Sequence, residues 1–266
     1  MTESIAKVPK ISVVTVNRNM RDGLQTTIES VVGQTYPCIE FLIIDGASVD
    51  GSVELIQGFA SHIAYWTSEP DVGIYDAMNK GVRAATGEWL IFMNSGDLFH
   101  DKDVVADVFA KFHSDADLVY GHSVCRYLRE GVERFVPAQS PKVLPLRMNC
   151  SHQSLFTRRS LLLAQPFSLR LIAADYEFLV RMRAERRRFK LVDRIVGVHT
   201  NGGVSDVRRL RSLKERAVIS IEHGLITPWR ALSYMAMAIR AGLGPHVKRA
   251  LPKQIATWIL KRRIGG

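Results

Sequence analysis

This 266-residue chain has few cysteines, three in all, and no long apolar run. Cys38, Cys125 and Cys150 lie far apart, which excludes a disulfide framework and a CxxC metal-binding knuckle and favours a reducing compartment, the cytoplasm. No segment reaches the roughly 18 apolar residues of a membrane-spanning helix. Residues 1–10 lack the apolar stretch of a secretion signal, so we expect the protein to stay on the side of the membrane where it is made.

Several common nucleotide-binding and hydrolytic motifs are also absent. There is no GxGxxG after the first predicted strand and no GxxxxGK followed by Ser or Thr, which argues against dinucleotide-dependent oxidoreductases and P-loop enzymes. HExxH and GxSxG are missing too, so common zinc peptidases and α/β-hydrolases lose support. The composition, with 47% hydrophobic and 23% charged residues, is nevertheless that of a folded globular protein.

Positive charge is concentrated at the C-terminal end of the chain. Residues 1–204 carry 23 Lys and Arg against 23 Asp and Glu, whereas residues 205–266 carry 13 Lys and Arg against Asp206, Glu215 and Glu222. This asymmetry favours an acidic partner, either nucleic acid or an anionic membrane surface, with a merely solvated helical surface as the alternative. We therefore divide the chain into residues 1–205 and a basic helical extension, residues 206–266.

Short β-branched runs alternate with helical patterns over the first hundred residues. Strands are predicted at 11–16, 39–44, 63–66 and 88–93, and helices at 24–32, 51–60 and 74–85. The alternation indicates an α/β fold with a mostly parallel sheet and helices on both faces. Further along we predict a helix near 101–112, strands within 117–136, helices near 158–164 and 174–187, strands at 189–192 and 195–199, and then helices.

Polar residues follow three of the predicted strands. Asn17, Arg18 and Asn19 follow the first, residues 45–51 follow the second, and Asn-Ser-Gly-Asp at 94–97 follows the strand at 88–93. In an open α/β sheet, ligands bind outside the carboxyl ends of the strands. Turn chemistry is the simpler explanation for one such loop, but three together predict a ligand-binding rim.

The chain resembles the inverting glycosyltransferases of family 2, in the GT-A superfamily and of the bacterial polysaccharide and glycolipid type, over residues 9–205. The motifs that carry the resemblance are ISVVTVNRN at 11–19, SVVGQTY at 30–36, IDGASVDG at 44–51, GIYDAMNKG at 73–81, NSGD at 94–97, HQS at 152–154, ADYEF at 174–178 and GGVS at 202–205. Their order and spacing make the resemblance specific. It implies a GT-A fold, a Rossmann-like and mostly parallel sheet flanked by helices, and inverting transfer of one sugar from a nucleoside-diphosphate sugar to a lipid-linked or polysaccharide acceptor.

The resemblance also implies which residues contact the donor. In this family the loop after the first strand and the acidic residue after the second hold the nucleoside, which corresponds here to Thr15, Asn17, Arg18 and Asp45. Asp76, Asn79 and Lys80 share one face of a predicted helix because they lie at i, i+3 and i+4. We expect Lys80 to approach the diphosphate or sugar and Asp76 to bind sugar hydroxyls, with a plain Asp76–Lys80 salt bridge as the alternative.

A divalent cation, Mn²⁺ or Mg²⁺, suits the charge that develops on a departing diphosphate. In the family a DxD motif supplies the carboxylate ligand; the match here is residues 94–97, which leaves Asp97 as the acidic ligand and Asn94 facing the donor. One carboxylate is enough when phosphates and waters fill the other positions. His199 is a further candidate ligand, although a lone His after a strand is more often structural.

Inversion requires a base that removes the proton of the acceptor hydroxyl on the face opposite the leaving group. The family motif places this base at Asp175, at the start of a predicted helix, where an ordinary helix cap is the alternative role. Glu177 is the next candidate base. The resemblance places His152 and Gln153 beside the acceptor, with a structural role as the alternative.

The C-terminal extension mixes apolar residues, Trp and flanking basic residues, which is typical of a helix in a membrane interface. The clearest stretches are residues 229–240 and 255–263. We expect the extension to bring the protein to an anionic membrane surface, on the inner face of the cell membrane. Packing against the body of the protein, or against a second copy in a homo-oligomer, is the alternative.

Two other function classes fit parts of the sequence. A catalytically silent scaffold or nucleic-acid binder would use the basic extension, but the set Asp45, Asp97 and Asp175 favours an enzyme. No RNA-binding motif with exposed aromatic residues is present, which argues against nucleic acid as the partner. A sugar nucleotidyltransferase would need a Gly-rich basic loop after the first strand, and the sequence has none. With these alternatives disfavoured, we expect the function that the resemblance implies, a metal-assisted inverting glycosyltransferase.

Overall fold

The computed structural model describes residues 8–110, 115–128, 130–145, 147–201, 209–230 and 233. The strands are β1 Ile11–Asn17, β2 Ile39–Asp45, β3 Tyr65–Ser68, β4 Trp89–Phe92, β5 Leu98–Phe99, β6 Leu118–Tyr127, β7 Val132–Val136, β8 Leu155–Arg158 and β9 Phe189–Thr200. The helices are α1 Arg21–Val32, α2 Ser52–Gly58, α3 Ile74–Ala84, α4 Val104–Phe109, α5 Arg159–Ala164, α6 Ala174–Ala184 and α7 Arg209–Glu222.

All of these strands belong to one sheet, in the order β3-β2-β1-β4-β8-β6-β9-β5, with β7 paired to β6. β3, β2, β1 and β4 are parallel neighbours, as the sequence predicts. In the second half, β8 runs antiparallel to both β4 and β6, and β5 runs antiparallel to β9, while β6 and β9 are parallel. The α/β class is therefore confirmed, and antiparallel strands are confined to the second half of the sheet.

Four strands differ from the sequence prediction. The strand expected at 63–66 is Tyr65–Ser68, two residues later. The strands expected at 189–192 and 195–199 are one continuous strand, because β9 pairs with β6 both before and after the polar residues Asp193 and Arg194. The register of the pairing shifts near His122 of β6. The short strands β5 and β8 were not predicted.

Helices cover both faces of the sheet, and alternate residues of β1 show the division. Ile11 and Val13 pack in a core with residues of α1, α2 and α4. Val14 and Val16 pack in a second core, on the opposite face, with residues of α3, α5 and α6. This arrangement follows from the period of two along a strand, and it explains why all seven residues of β1 are buried.

The close approach of α3 to the sheet depends on Gly81. A Cβ atom at this position would lie 2.4 Å from Cγ1 of Val14 on β1. Because glycine has no side chain, α3 can pack directly on β1 and β2. The N-terminal end of α3, with Tyr75 and Asp76, is thereby fixed beside the carboxyl ends of these strands.

Part of the predicted basic extension is a helix packed on the body. Ser220 of α7 lies with Oγ 2.6 Å from Oη of Tyr176 on α6. The other residues of the predicted membrane-interface stretches, apart from 229, 230 and 233, lie outside the described residues, as does the GGVS motif at 202–205. Within the described part of the chain, no helix has the length and apolar character needed to cross a membrane.

Candidate active site

The ends of β1, β2 and β3 form one row, because Asn17, Asp45 and Ser68 are register partners. Asp45 is completely buried at the centre of this row. It accepts hydrogen bonds from Asn17 Nδ2 (2.7 Å), from Oγ and the backbone N of Ser48 (2.6 and 2.9 Å) and from Ser68 Oγ (2.6 Å). Ser95, in the loop after β4, extends the row by donating to Asn17 Oδ1. The strand-end loops thus meet at one rim, and Asp45 holds three of them together.

Arg18 and Asp71 lie against the backbone of Gly46, next to Asp45. A Cβ atom at Gly46 would lie 2.9 Å from Asp71 Oδ2 and 3.4 Å from Arg18 Cδ. Asp71 lies outside the motifs that predict the site from the sequence. The signal was present, since Glu69, Pro70 and Asp71 follow β3 just as the other polar loops follow their strands.

Lys80 on α3 is surrounded by three carboxylates. Its Nζ lies 2.7 Å from Asp71, 2.8 Å from Glu69 and 3.6 Å from Asp76. Hydrogen bonds to Asp71 and Glu69 raise the pKa of the Lys80 ammonium above its ordinary value. The Asp76–Lys80 ion pair, which was the alternative for this helix face, is therefore present, and it sits in a larger cluster that fixes Lys80 next to the rim.

Two predicted donor residues are engaged within the protein. The buried hydroxyl of Thr15 donates to the carbonyl oxygen of Met93 (2.7 Å). The amide of Asn79 is used at both ends, since Nδ2 donates to the carbonyl oxygen of Phe167 and Oδ1 accepts from the backbone N of Phe167, both at 2.9 Å. Asn79 therefore joins α3 to the segment before α6. Its amide bonds the backbone of Phe167, whereas Asp76 and Lys80 pair with each other.

Asp97 and Asn94 provide oxygen atoms suited to a hard divalent cation. Asp97 is 8% exposed, and its Oδ2 accepts a hydrogen bond from Gln153 Nε2 (3.0 Å). Burial raises the pKa of Asp97 to about 6, although the charge of His152 and the bond from Gln153 act in the opposite direction. Oδ1 of Asn94 is buried and has no hydrogen-bond partner within the described residues. A carboxylate and an orphaned amide oxygen fit Mg²⁺ or Mn²⁺, whose remaining ligands would be phosphate and water oxygens.

His199 lies near this pair in the sheet. Leu98 on β5 pairs with Val198 on β9 in an antiparallel ladder, so the next position along the ladder sets Asp97 against His199. No cluster of three His, Cys, Asp or Glu side chains with metal-binding geometry occurs in the described part of the chain. The role of His199 as a ligand stays a prediction.

Asp175 is the second residue of α6, and its side chain is 18% exposed. Its Oδ1 accepts from the backbone N of Tyr176 (2.8 Å) and lies 3.0 Å from Tyr75 Oη. Its Oδ2 lies 3.7 Å from His152 Nδ1. Burial acts to raise the pKa of Asp175, but His152, Arg216 and the Tyr176 backbone outweigh it and hold the pKa below its ordinary value. The Asp175 carboxylate is therefore ionised at neutral pH and able to accept a proton.

His152 connects Asp175 with the residues around Asp97. Its Nε2 lies 3.1 Å from Asn94 Nδ2, while Nδ1 faces Asp175. Burial lowers the pKa of His152, but Asp175 and Asp97 together raise it above its ordinary value. The two halves of the HQ motif thus reach different carboxylates, His152 that of Asp175 and Gln153 that of Asp97.

Glu177 is oriented differently from Asp175, because residues two apart on a helix do not share a face. Its Oε1 lies 3.3 Å from Arg181 Nε in an i, i+4 ion pair. Tyr75 and Arg216, which act on Asp175, were not identified from the sequence. Tyr75 lies inside the GIYDAMNKG motif, whereas Arg216 follows residue 205 and carries no local signal.

Comparisons with known proteins identify the family of this chain. The model for the family "Glycosyl transferase family 2" matches residues 12–163, more than half of the chain. The uncharacterized glycosyltransferase Rv1514c of Mycobacterium tuberculosis is 37% identical over 185 residues, covering 66% of this chain and 70% of the relative. The PGL/p-HBAD biosynthesis glycosyltransferase Rv2957 of the same organism is 32% identical over 180 residues, covering 65% and 69%.

The fold is shared with a solved glycosyltransferase structure. The mannosyltransferase PcManGT from Pyrobaculum calidifontis, solved in complex with GDP-Man and Mn²⁺, aligns with a TM-score of 0.62 and 18% identity over 95% of this chain and 84% of that one. At this identity the likeness shows the GT-A fold alone. With the family model and the relatives at 37% and 32% identity, it leads to one conclusion: this chain belongs to glycosyl transferase family 2.

Proposed function

We propose that the protein transfers one sugar, with inversion, from a nucleoside-diphosphate sugar to a lipid-linked or saccharide acceptor. The observation that carries the proposal is the state of Asp175. This partly buried carboxylate lies 3.7 Å from His152 Nδ1 and is linked through His152 to the loop that carries Asn94 and Asp97. Such a carboxylate can accept the proton of an acceptor hydroxyl, a role that contributes roughly 10²- to 10⁴-fold in rate.

The donor would lie along the rim formed by the ends of β1, β2 and β3. Arg18 and the loop after Asp45 would hold the nucleoside. The cluster of Lys80, Asp71 and Asp76 would face the sugar, because its carboxylates can accept from sugar hydroxyls while Lys80 fixes their positions.

Asp97 and Asn94 would hold a divalent cation through a carboxylate and an amide oxygen, with His199 as a further ligand. When bound, the cation supplies charge stabilisation for the diphosphate leaving group. Gln153 orients Asp97 by donating to one carboxylate oxygen.

The acceptor would approach from the side of Asp175 and His152. A glycolipid acceptor is supported by the relative that is named for PGL/p-HBAD biosynthesis. Residues 206–266 would bring the enzyme to the anionic inner face of the cell membrane, where Lys and Arg each contribute about 1 kcal/mol. Truncation after residue 224 should release the protein from anionic vesicles while nucleotide binding is retained. Equal binding of the full chain to neutral and anionic vesicles would contradict the electrostatic part of this proposal.

A thermal-shift and calorimetric screen of UDP-, GDP- and dTDP-sugars, with and without Mn²⁺, tests the donor site. We expect one nucleoside diphosphate to stabilise the protein only when the cation is present. Asp97→Ala should abolish this stabilisation, whereas Asp22→Ala, at an exposed position on α1, should leave it unchanged. Equal stabilisation in the presence of a chelator would refute the cation-dependent donor site.

A further inference from the structure

Helix α7 contacts the backbone that leads into α6. Glu215 Oε2 accepts hydrogen bonds from the backbone N of Ile172 (2.7 Å) and of Ala173 (3.2 Å). These residues immediately precede α6, and Ala173, at the N-cap position, has no side-chain oxygen to cap the helix. Glu215 thus binds, from a distant part of the chain, the two backbone amides that lead into α6.

Two further contacts join α7 to α6. Oη of Tyr176, a completely buried residue, bonds with Ser220 Oγ. The Arg216 guanidinium lies 5.4 Å from the centre of the Tyr176 ring. Arg216 Nε is buried and has no hydrogen-bond partner within the described residues. Burying a charged donor without a partner lowers stability unless the charge interacts favourably with another group. Both contacts are made to Tyr176, which directly follows Asp175 on α6.

We propose that Glu215 and Arg216 are positioning residues for Asp175, so that the catalytic unit of this chain extends through α7 to residue 222. The inference rests on the proposed role of Asp175 as the base. Glu215 fixes the direction in which the chain enters α6, and Arg216 places a positive charge over the ring of Tyr176, the residue that follows Asp175. The segment assigned from the sequence to a separate basic extension therefore has two functions, with α7 serving the active site.

The first test compares Glu215→Ala, Glu215→Gln and, as the matched control, Lys214→Ala at an exposed position of the same helix. The assay is hydrolysis of the donor found in the nucleotide screen, in which water takes the place of the acceptor. We expect Glu215→Ala to lower kcat between about 10- and 100-fold, because small displacements of a catalytic group are costly, with donor Kd unchanged. Glu215→Gln keeps an acceptor oxygen and should retain most of the turnover, and Lys214→Ala should match the wild type.

Three outcomes would overturn the inference: wild-type kcat in Glu215→Ala, equal loss in Glu215→Gln and Glu215→Ala, or joint loss of donor binding and turnover in Glu215→Ala. Hydrogen exchange offers a readout that does not depend on activity. The amides of Ile172 and Ala173 should exchange faster in Glu215→Ala than in Lys214→Ala, and equal exchange would contradict the contact.

The second test addresses Arg216 through the pH profile of kcat. The charged and titratable groups that face Asp175 are Tyr75, Cys150, His152 and Arg216. Removing the cation in Arg216→Met should raise the pKa of the base and move the acidic limb of the profile to higher pH. Arg216→Lys keeps the charge and should leave the limb in place; an unchanged limb in Arg216→Met would overturn the role of Arg216.

Asp175→Asn, measured in the same assay, separates the two proposals. If Asp175→Asn retains turnover, the proposed base is wrong and the role of α7 falls with it. If Asp175→Asn is inactive while Glu215→Ala and Arg216→Met behave as wild type, only the inference about α7 is wrong.

Discussion

His152 Nδ1 lies 3.7 Å from Asp175 Oδ2, and the two residues shift the pKa of each other in opposite directions. Both side chains are largely buried, so each would otherwise be driven towards its neutral form. Together they form an ion pair in which the carboxylate stays negative and the imidazole is more easily protonated than in water. Because His152 holds the pKa of Asp175 below its ordinary value, the carboxylate is ionised before an acceptor binds.

Asp175→Asn should therefore separate proton transfer from donor binding. The amide keeps the size of the side chain but cannot accept the proton, so kcat should fall on the order of 10²- to 10⁴-fold with donor KM and Kd nearly unchanged. Steady-state kinetics and calorimetry with the donor measure both quantities. Glu177→Gln, two residues further along α6, is the control and should retain near-normal turnover; a reversal of the two results would move the base to Glu177.

The rim was predictable because it is formed by residues at or just after the ends of their strands in the sequence. Polar residues that follow parallel strands must meet at one edge, and Asn17, Asp45 and the loop after β4 do so. The strands β1 and β2 were predicted to within one residue because they are buried on both faces and are rich in Val and Ile.

Other features depend on contacts between distant segments, which a local pattern does not carry. β8 is four residues long, yet it joins β4 to β6 in the middle of the sheet. Glu215 and Arg216 act on α6 from about 40 positions further along the sequence, a separation at which helical periodicity carries no information about partners. The four hydrogen bonds that Asp45 accepts, from residues at the end of β1, in the loop after β2 and at the end of β3, are likewise a contact between distant segments.

Gly46→Ala tests the packing of the rim. The added Cβ would lie 2.9 Å from Asp71 Oδ2, so the carboxylate or the loop must move. We expect donor Kd to rise about tenfold, equivalent to roughly 1.4 kcal/mol. Gly58→Ala is the control, because its Cβ would meet nothing within 4 Å. Equal donor affinity in the two variants would show that the close approach of Asp71 to Gly46 does not affect binding.

Glu40 should make stability depend on pH. The buried carboxylate accepts from Lys10, Ser12 and Thr86, and although burial acts to raise its pKa, these bonds lower the pKa to about 2. Since the pKa in the folded protein is below that of the unfolded chain, the stabilisation is complete above the ordinary pKa of 4.5 and is lost as the pH falls towards 2.

Glu40→Gln should accordingly lower the free energy of unfolding by about 2 kcal/mol at pH 7. Its difference from the wild type should shrink as the pH falls from 4.5 towards 2. Urea unfolding at several pH values measures this difference, with Glu54→Gln, an exposed position on α2, as the control. A constant difference across the pH range would mean that the charge of Glu40 is not the source of the stabilisation.

Asp45→Asn should show the reverse of the pattern expected for Asp175→Asn. The Asp45 carboxylate accepts four hydrogen bonds, whereas an amide offers one oxygen and turns an NH₂ group towards donors. The loops after β1, β2 and β3 would lose a common anchor, so donor Kd should rise about 10- to 100-fold, corresponding to one or two unsatisfied buried donors. At saturating donor, kcat should stay within a few-fold of the wild type, because Asp175 and His152 lie on other elements. Asp22→Asn, at an exposed position on α1, should change neither quantity. A fall in kcat with unchanged donor Kd would contradict the assignment of Asp45 to the donor side.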